Sequence, residues 1–188
     1  AKFKNAKLSF YIGEYAWAKA QLDVLKAATS KLIANDALYL SVLISDNLGT
    51  DSISPELDLY AEADLLLYRN QRDEALLLLD SILTLASYHA IFDEVLLKKS
   101  EIKIMQGKYA EAAILLDELI ENYSYDITAD NALFMLAELN ENQLNNPEEA
   151  LALFQRLLIE YPGSMFTVEA RKRFRELRGD FNIENPTR

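Results

Sequence analysis

The 188-residue chain contains no cysteine, which excludes disulfides and thiolate metal ligands and leaves its redox compartment open between cytoplasm and periplasm. Its single histidine, His89, cannot form a cluster of metal-binding spacing, and a structural or solvated place in a turn between helices is expected for it. A glycine-rich phosphate loop is missing too, so the parts from which catalytic centres are assembled are scarce; the expectation is a non-enzyme with no cofactor and no metal. Only 5 Gly and 4 Pro are present, few breaks for a chain of this length, which favours helices over strands. No apolar run approaches the roughly 18 residues of a membrane helix, and no signal peptide is recognisable, so direct membrane insertion is not expected. The chain opens on Ala and its first helix falls slightly short of the later ones, from which a piece of a longer or processed protein is expected.

Apolar residues make up 51% of the sequence, with 10 Tyr and 8 Phe, enough to bury a continuous core. The net charge of −11 is unevenly placed: residues 51–146 hold 6 basic and 19 acidic groups, residues 1–50 hold 6 and 4, and residues 147–188 hold 7 and 7. An acidic surface of this kind repels phosphate backbones and anionic lipid heads, so nucleic-acid binding is not expected. It serves solubility, or it suits a basic partner.

The stretch MQGKYAEAAILLDELIENYS, residues 105–124, sets the frame for the rest. Gly107, Tyr109 and Ala112 give a turn glycine, an aromatic and a small residue, followed by an apolar stripe of Ala113, Leu116, Leu119 and Ile120 at helical spacing. The frame returns with Ala75 and Ala150 in the small slot, 37 residues before and 38 after Ala112. A weaker copy carries Gly13, Tyr15 and Ala18, and Trp17, Leu22 and Leu25 are expected to pack in it. From Ala18 to Ala75 is 57 residues, too long for one repeat. An additional helix of about 36–46, capped by Asn35 or Asp36 and covered on most faces, is therefore expected in residues 30–54, with Ser54 and Pro55 starting the next helix. Ten helices and no strand follow: a weak repeat in 1–28, repeats in 55–88, 89–126 and 127–163, a capping helix in 164–178 begun by Ser164, and a loose tail in 179–188.

This pattern resembles the tetratricopeptide repeat. The turn glycine, the aromatic, the small residue, the large apolar residue (Leu79, Leu116, Phe154) and the closing Pro162 all have counterparts. The match covers 55–178 well and 1–28 weakly. It departs from the pattern in having Leu59, Leu96 and Leu133 where the family has Trp. The resemblance implies an all-α, right-handed α-solenoid of stacked antiparallel helix hairpins in one domain, 1–188, that binds proteins rather than performing catalysis. The ending LLIEYPGSMFTVEARKRFREL is similar to the longer repeats of bacterial envelope proteins, which implies the cell envelope or periplasm ahead of the cytoplasm.

In such repeats the first helices line the inner surface. Counting by 37 gives three columns: Tyr60, Leu97, Phe134; Asp64, Glu101, Glu138; and Leu67, Ile104, Glu141. Positions four apart share a helix face, so the apolar and acidic columns are expected side by side. Two readings of them stay open. In one the first column is core and the second ordinary surface; in the other they form a groove with an apolar floor and an acidic rim, suited to a peptide or helix carrying Lys or Arg among apolar anchors. Carboxylates in place of the Lys and Asn of the family's chaperone-tail clamp argue against that specialisation. The expected function is a protein-interaction module; the alternative is a structural spacer or a homo-oligomerisation segment of a larger protein.

Overall fold

The computed structural model describes residues 2–28, 31–49, 54–85 and 90–180. His89, most of the loop after Asn47 and the tail from 181 onward lie outside the described residues. Among the described residues there are ten α-helices, α1 Lys2–Tyr11, α2 Tyr15–Ala28, α3 Lys31–Asn47, α4 Pro55–Tyr68, α5 Arg72–Leu85, α6 Phe92–Met105, α7 Tyr109–Asn122, α8 Ala129–Asn142, α9 Pro147–Glu160 and α10 Thr167–Arg178. Among the described residues there is no strand. The chain divides into two compact units, Ala1–Val95 and Leu96–Arg188.

The turn inside each hairpin follows one rule. A residue with left-handed backbone stands five positions before the small residue of the second helix: Gly13 (φ 78), Asn70 (φ 62), Gly107 (φ 73) and Asn145 (φ 53). Glycine reaches this region without steric cost, and Asn is among the few side-chain-bearing residues that tolerate it. In the first three turns the next N–H reaches back five residues to close the helix: Glu14 to the Ser9 carbonyl, Gln71 to Leu66 and Lys108 to Lys103, each at 2.9 Å. This ties up carbonyls that the helix end would leave unpaired. The turn before α9 is one residue longer, and Asn146 N–H reaches back six, to Asn140. That extra residue is why one interval is 38 and the other 37.

The small residues that set the frame are all buried: Ala18, Ala75, Ala112 and Ala150 in the second helices, and Ala6, Ala63, Ser100 and Ala137 in the first. A small side chain lets two helix backbones approach closely, and the large apolar residues one turn further on, Leu22, Leu79, Leu116 and Phe154, are fully enclosed. In the second unit these join a continuous core that runs from Leu96 and Leu97 through α7, α8 and α9 to Ala170, closed by Phe166 just before α10 and by Phe174 and Leu177 of α10. At the place where the earlier first helices have a small residue, α10 has Arg175, which is exposed.

Four expectations need correction. The additional helix begins at Lys31, five residues before its expected start, because Asn35 and Asp36 lie inside it rather than capping it. It covers one face only, burying Ala37, Leu40, Leu43 and Ile44 against α2 while Leu38 stays 42% exposed. Ser164 does not cap α10; its hydroxyl accepts from Phe166 N–H in a turn that precedes the helix, which starts at Thr167. Trp17 does not pack with Leu22 and Leu25 but stands 62% exposed. Ser54, by contrast, caps α4 as expected, accepting from Leu57 N–H with Pro55 at the first position.

Candidate interaction surface

The apolar column is core in both units. Tyr60, Leu97 and Phe134 are 3%, 3% and 8% exposed. Phe134 is held on two sides, stacked on Phe166 with ring centroids 4.8 Å apart and edge-on to Phe154 at 5.9 Å; such ring pairs add about 0.5–1.5 kcal/mol each beyond the area they bury. Leu67, Ile104 and Glu141 are half-buried at the next turn along.

The acidic column is half-buried, and each of its members already faces a cation of the same unit. In the first unit Asp64 accepts from Lys7 Nζ and from the Tyr11 hydroxyl, both at 2.8 Å, which fastens α1 to α4. In the second, Glu101 pairs with Lys98 one turn earlier on α6, at 2.9 Å. Arg173 of α10 reaches Glu138 at 3.7 Å and Glu141 at 3.4 Å, and Glu169 of its own helix at 3.7 Å. Partial burial, with the nearby charges of Glu141 and Glu169, pushes the Glu138 carboxyl above its ordinary range against the lowering effect of Arg173. Arg173 therefore faces three carboxylates, one of which, Glu169, also has Lys172 Nζ at 3.9 Å, and the site keeps a surplus of negative charge.

The sequence reading missed these cations because the partners come from outside the repeat columns. Lys7 sits in the weak first copy, and Arg173 in the helix read only as a cap. The one accessible signal was spacing: Lys98 precedes Glu101 by three residues, a helical neighbour. Asp117 and Glu118 of α7 and Glu148 and Glu149 of α9 are exposed. Among the described residues no group of three or more acidic or His side chains is arranged to hold a metal, and no helix is long and apolar enough to cross a membrane.

Comparison with known proteins agrees with the geometry of the hairpins. Tetratricopeptide-repeat family models match residues 60–127 and 131–164, together just over half of the chain. Similar folds include two crystal structures of the nearly identical TPR-like repeats of a Podosopora anserina kinesin light chain. One is 14% identical over 97% of this chain and 95% of that one, with a TM-score of 0.52; the other, 14% identical over 97% and 96%, has a TM-score of 0.48. No curated protein matches the sequence. Tetratricopeptide repeats generally mediate protein–protein interaction and are typically non-catalytic scaffolds, and this chain belongs to the tetratricopeptide repeat family.

Proposed function

We propose that the chain is an interaction module whose first helices take a peptide or helix bearing Lys or Arg beside apolar anchors. The observation that carries this is the state of the acidic column. In each unit a half-buried carboxylate stands beside buried apolar residues and selects a cation from its own surroundings, Lys7 for Asp64 and Arg173 for Glu138 and Glu141. The second unit is the better candidate site, because Glu138 and Glu141 share the Arg173 guanidinium, which Glu169 also draws on beside Lys172, and a further cation would relieve the remaining repulsion. Half-buried Leu67 and Ile104 offer apolar contact one helical turn from Asp64 and Glu101. A place in the cell envelope belongs to the same proposal, on the likeness of the final repeat.

Selection of binders from a displayed random-peptide library tests this. Enriched peptides should carry Lys or Arg among Leu, Ile or Phe, and their affinity should fall as salt rises. Glu101→Lys or Glu138→Lys should weaken them at least tenfold while the helical circular dichroism stays unchanged. Enrichment of uncharged peptides, or affinity indifferent to salt and to both substitutions, would reject the reading. The spacer alternative is favoured by the burial of Tyr60, Leu97 and Phe134, which leaves no open apolar floor at those positions. A library that yields no binder supports it.

A further inference from the structure

The hairpin α1–α2 is covered on one side only. Toward the rest of its unit, α2 packs on α3 and α1 on α4, with Lys7 and Tyr11 bonded to Asp64 and the Tyr15 hydroxyl donating to Asp58 at 2.5 Å. On the other side Gln21 donates to Ser9 across the two helices and to the Trp17 carbonyl along its own. Helical spacing therefore puts Leu8 of α1, with Ile12 just beyond its end, and Trp17 and Val24 of α2 on the side of that hydrogen-bonded seam. They are 59%, 67%, 62% and 60% exposed.

The repeat register shows that this face is not an ordinary outer surface. Trp17 occupies the position one before the small residue, where α5, α7 and α9 have exposed Glu74, Glu111 and Glu149. Val24 stands where the same helices have Ser81, Glu118 and Arg156. Polar positions have become apolar here; an exposed apolar face at positions that the other repeats keep polar marks a contact with another macromolecule.

The charges at its two ends indicate the occupant. Exposed Lys4 lies near the start of α1, one turn from Leu8, and exposed Glu14 lies in the turn beyond Ile12, past the other end of the helix. A face that is basic at one end, acidic at the other and apolar between is complementary to itself when turned end for end. We propose that two copies of the chain pair antiparallel through this face, with Lys4 of each over Glu14 of the other and Trp17, Leu8 and Val24 enclosed between them. The two-fold axis lies in the interface, across the hairpin. Two short helices cover well under the roughly 800 Å² per partner of a standard stable interface, so the pair forms at high protein concentration and dissociates on dilution.

Sedimentation velocity over a dilution series from hundreds of micromolar to below one micromolar tests this, with the emission of Trp17, the only tryptophan in the chain, read in parallel. The expected result is a monomer–dimer equilibrium in which the dimer fraction and a blue shift of the Trp17 emission rise together. Trp17→Ser should weaken association at least tenfold. Lys4→Glu and Glu14→Lys should each weaken it several-fold, and the chain carrying both changes should recover the parent's association, since both contacts are restored with the signs exchanged. All three positions are exposed, and circular dichroism confirms that each variant is folded before it is weighed. A parent that stays monomeric throughout overturns the proposal. So does a dimer that survives Trp17→Ser, or a double variant no better than the single ones. None of these outcomes bears on the acidic column, whose test uses different residues.

Discussion

The two units are built from the same repeat yet are held together differently. In the second, α7 to α10 close around an unbroken apolar core in which Phe134, Phe154 and Phe166 interlock. In the first, an additional helix separates the weak hairpin α1–α2 from α4–α5, and polar ties join the elements: Tyr15 to Asp58, Tyr11 and Lys7 to Asp64, and Ser41 to Asp23 and Lys26. The first unit also buries Asp93 beside Glu94, which are 2% and 3% exposed. The contrast teaches that a repeat frame dictates hairpins, whereas the joints between hairpins depend on whether matching apolar faces are available. Where the 57-residue interval breaks the match, directional polar contacts are added to the packing.

The largest expected effect tests the second unit. Phe154→Ala removes a fully enclosed ring and should cost about 3–5 kcal/mol, measured by urea denaturation. The loss should be nearly the same at pH 5 and pH 8, because the packing there is apolar. A loss below about 1 kcal/mol would show the core to be loosely filled.

The first unit should respond to pH instead. Burial, with the hydrogen bond and the charge of Asp93, pushes the Glu94 carboxyl up to about 10 from 4.5. The folded chain thus keeps a proton that the unfolded chain releases above pH 4.5. The associated stability is complete below pH 4.5 and is lost as pH rises toward 10, at no more than about 1.4 kcal/mol per pH unit. Glu94→Gln should flatten that dependence and make the chain more stable than the parent at pH 8. Denaturation midpoints of parent and variant that run parallel from pH 5 to 9 would refute it.

The smallest effect concerns what the units share. Asn70→Ala places an ordinary side chain at φ 62 and should cost about 1–2 kcal/mol, and Asn145→Ala should cost the same in the other unit. Replacing either with Gly should change stability by under about 1 kcal/mol. If the Ala variants match their parents, the left-handed turn is not what closes the hairpins.

Much of the fold was legible because the small residues Ala75, Ala112 and Ala150 recur in phase with an apolar stripe, and that pairing has few alternatives to a helix hairpin. Asn70 and Asn145 were not read as turn residues, since asparagine fits many loop conformations and only its place five before the small residue identifies it. The start of α3 was misplaced because Asn35 and Asp36 look like caps locally, while the helix-forming residues before them carry the helix further back. The exposed face of Trp17 was illegible for a different reason: an apolar residue at helical spacing reads as core, and only the position of the neighbouring helices shows which side they cover. The cations beside Asp64 and Glu138 belong to the same class, being set by tertiary placement.

The six helices from α4 to α9 are each 14 residues long, so all the variation in repeat length falls in the connections. Fourteen residues make about 3.9 turns, close enough to a whole number that the chain leaves each helix on nearly the face by which it entered. A lineage could therefore gain or lose a complete repeat by recombination without rotating the faces of those that remain. A single residue added to a helix would instead turn every later side chain of that helix by about 100°. The additional residue in the turn before α9 is what tolerated change looks like under this constraint: it lengthens the sequence and leaves the helices in phase.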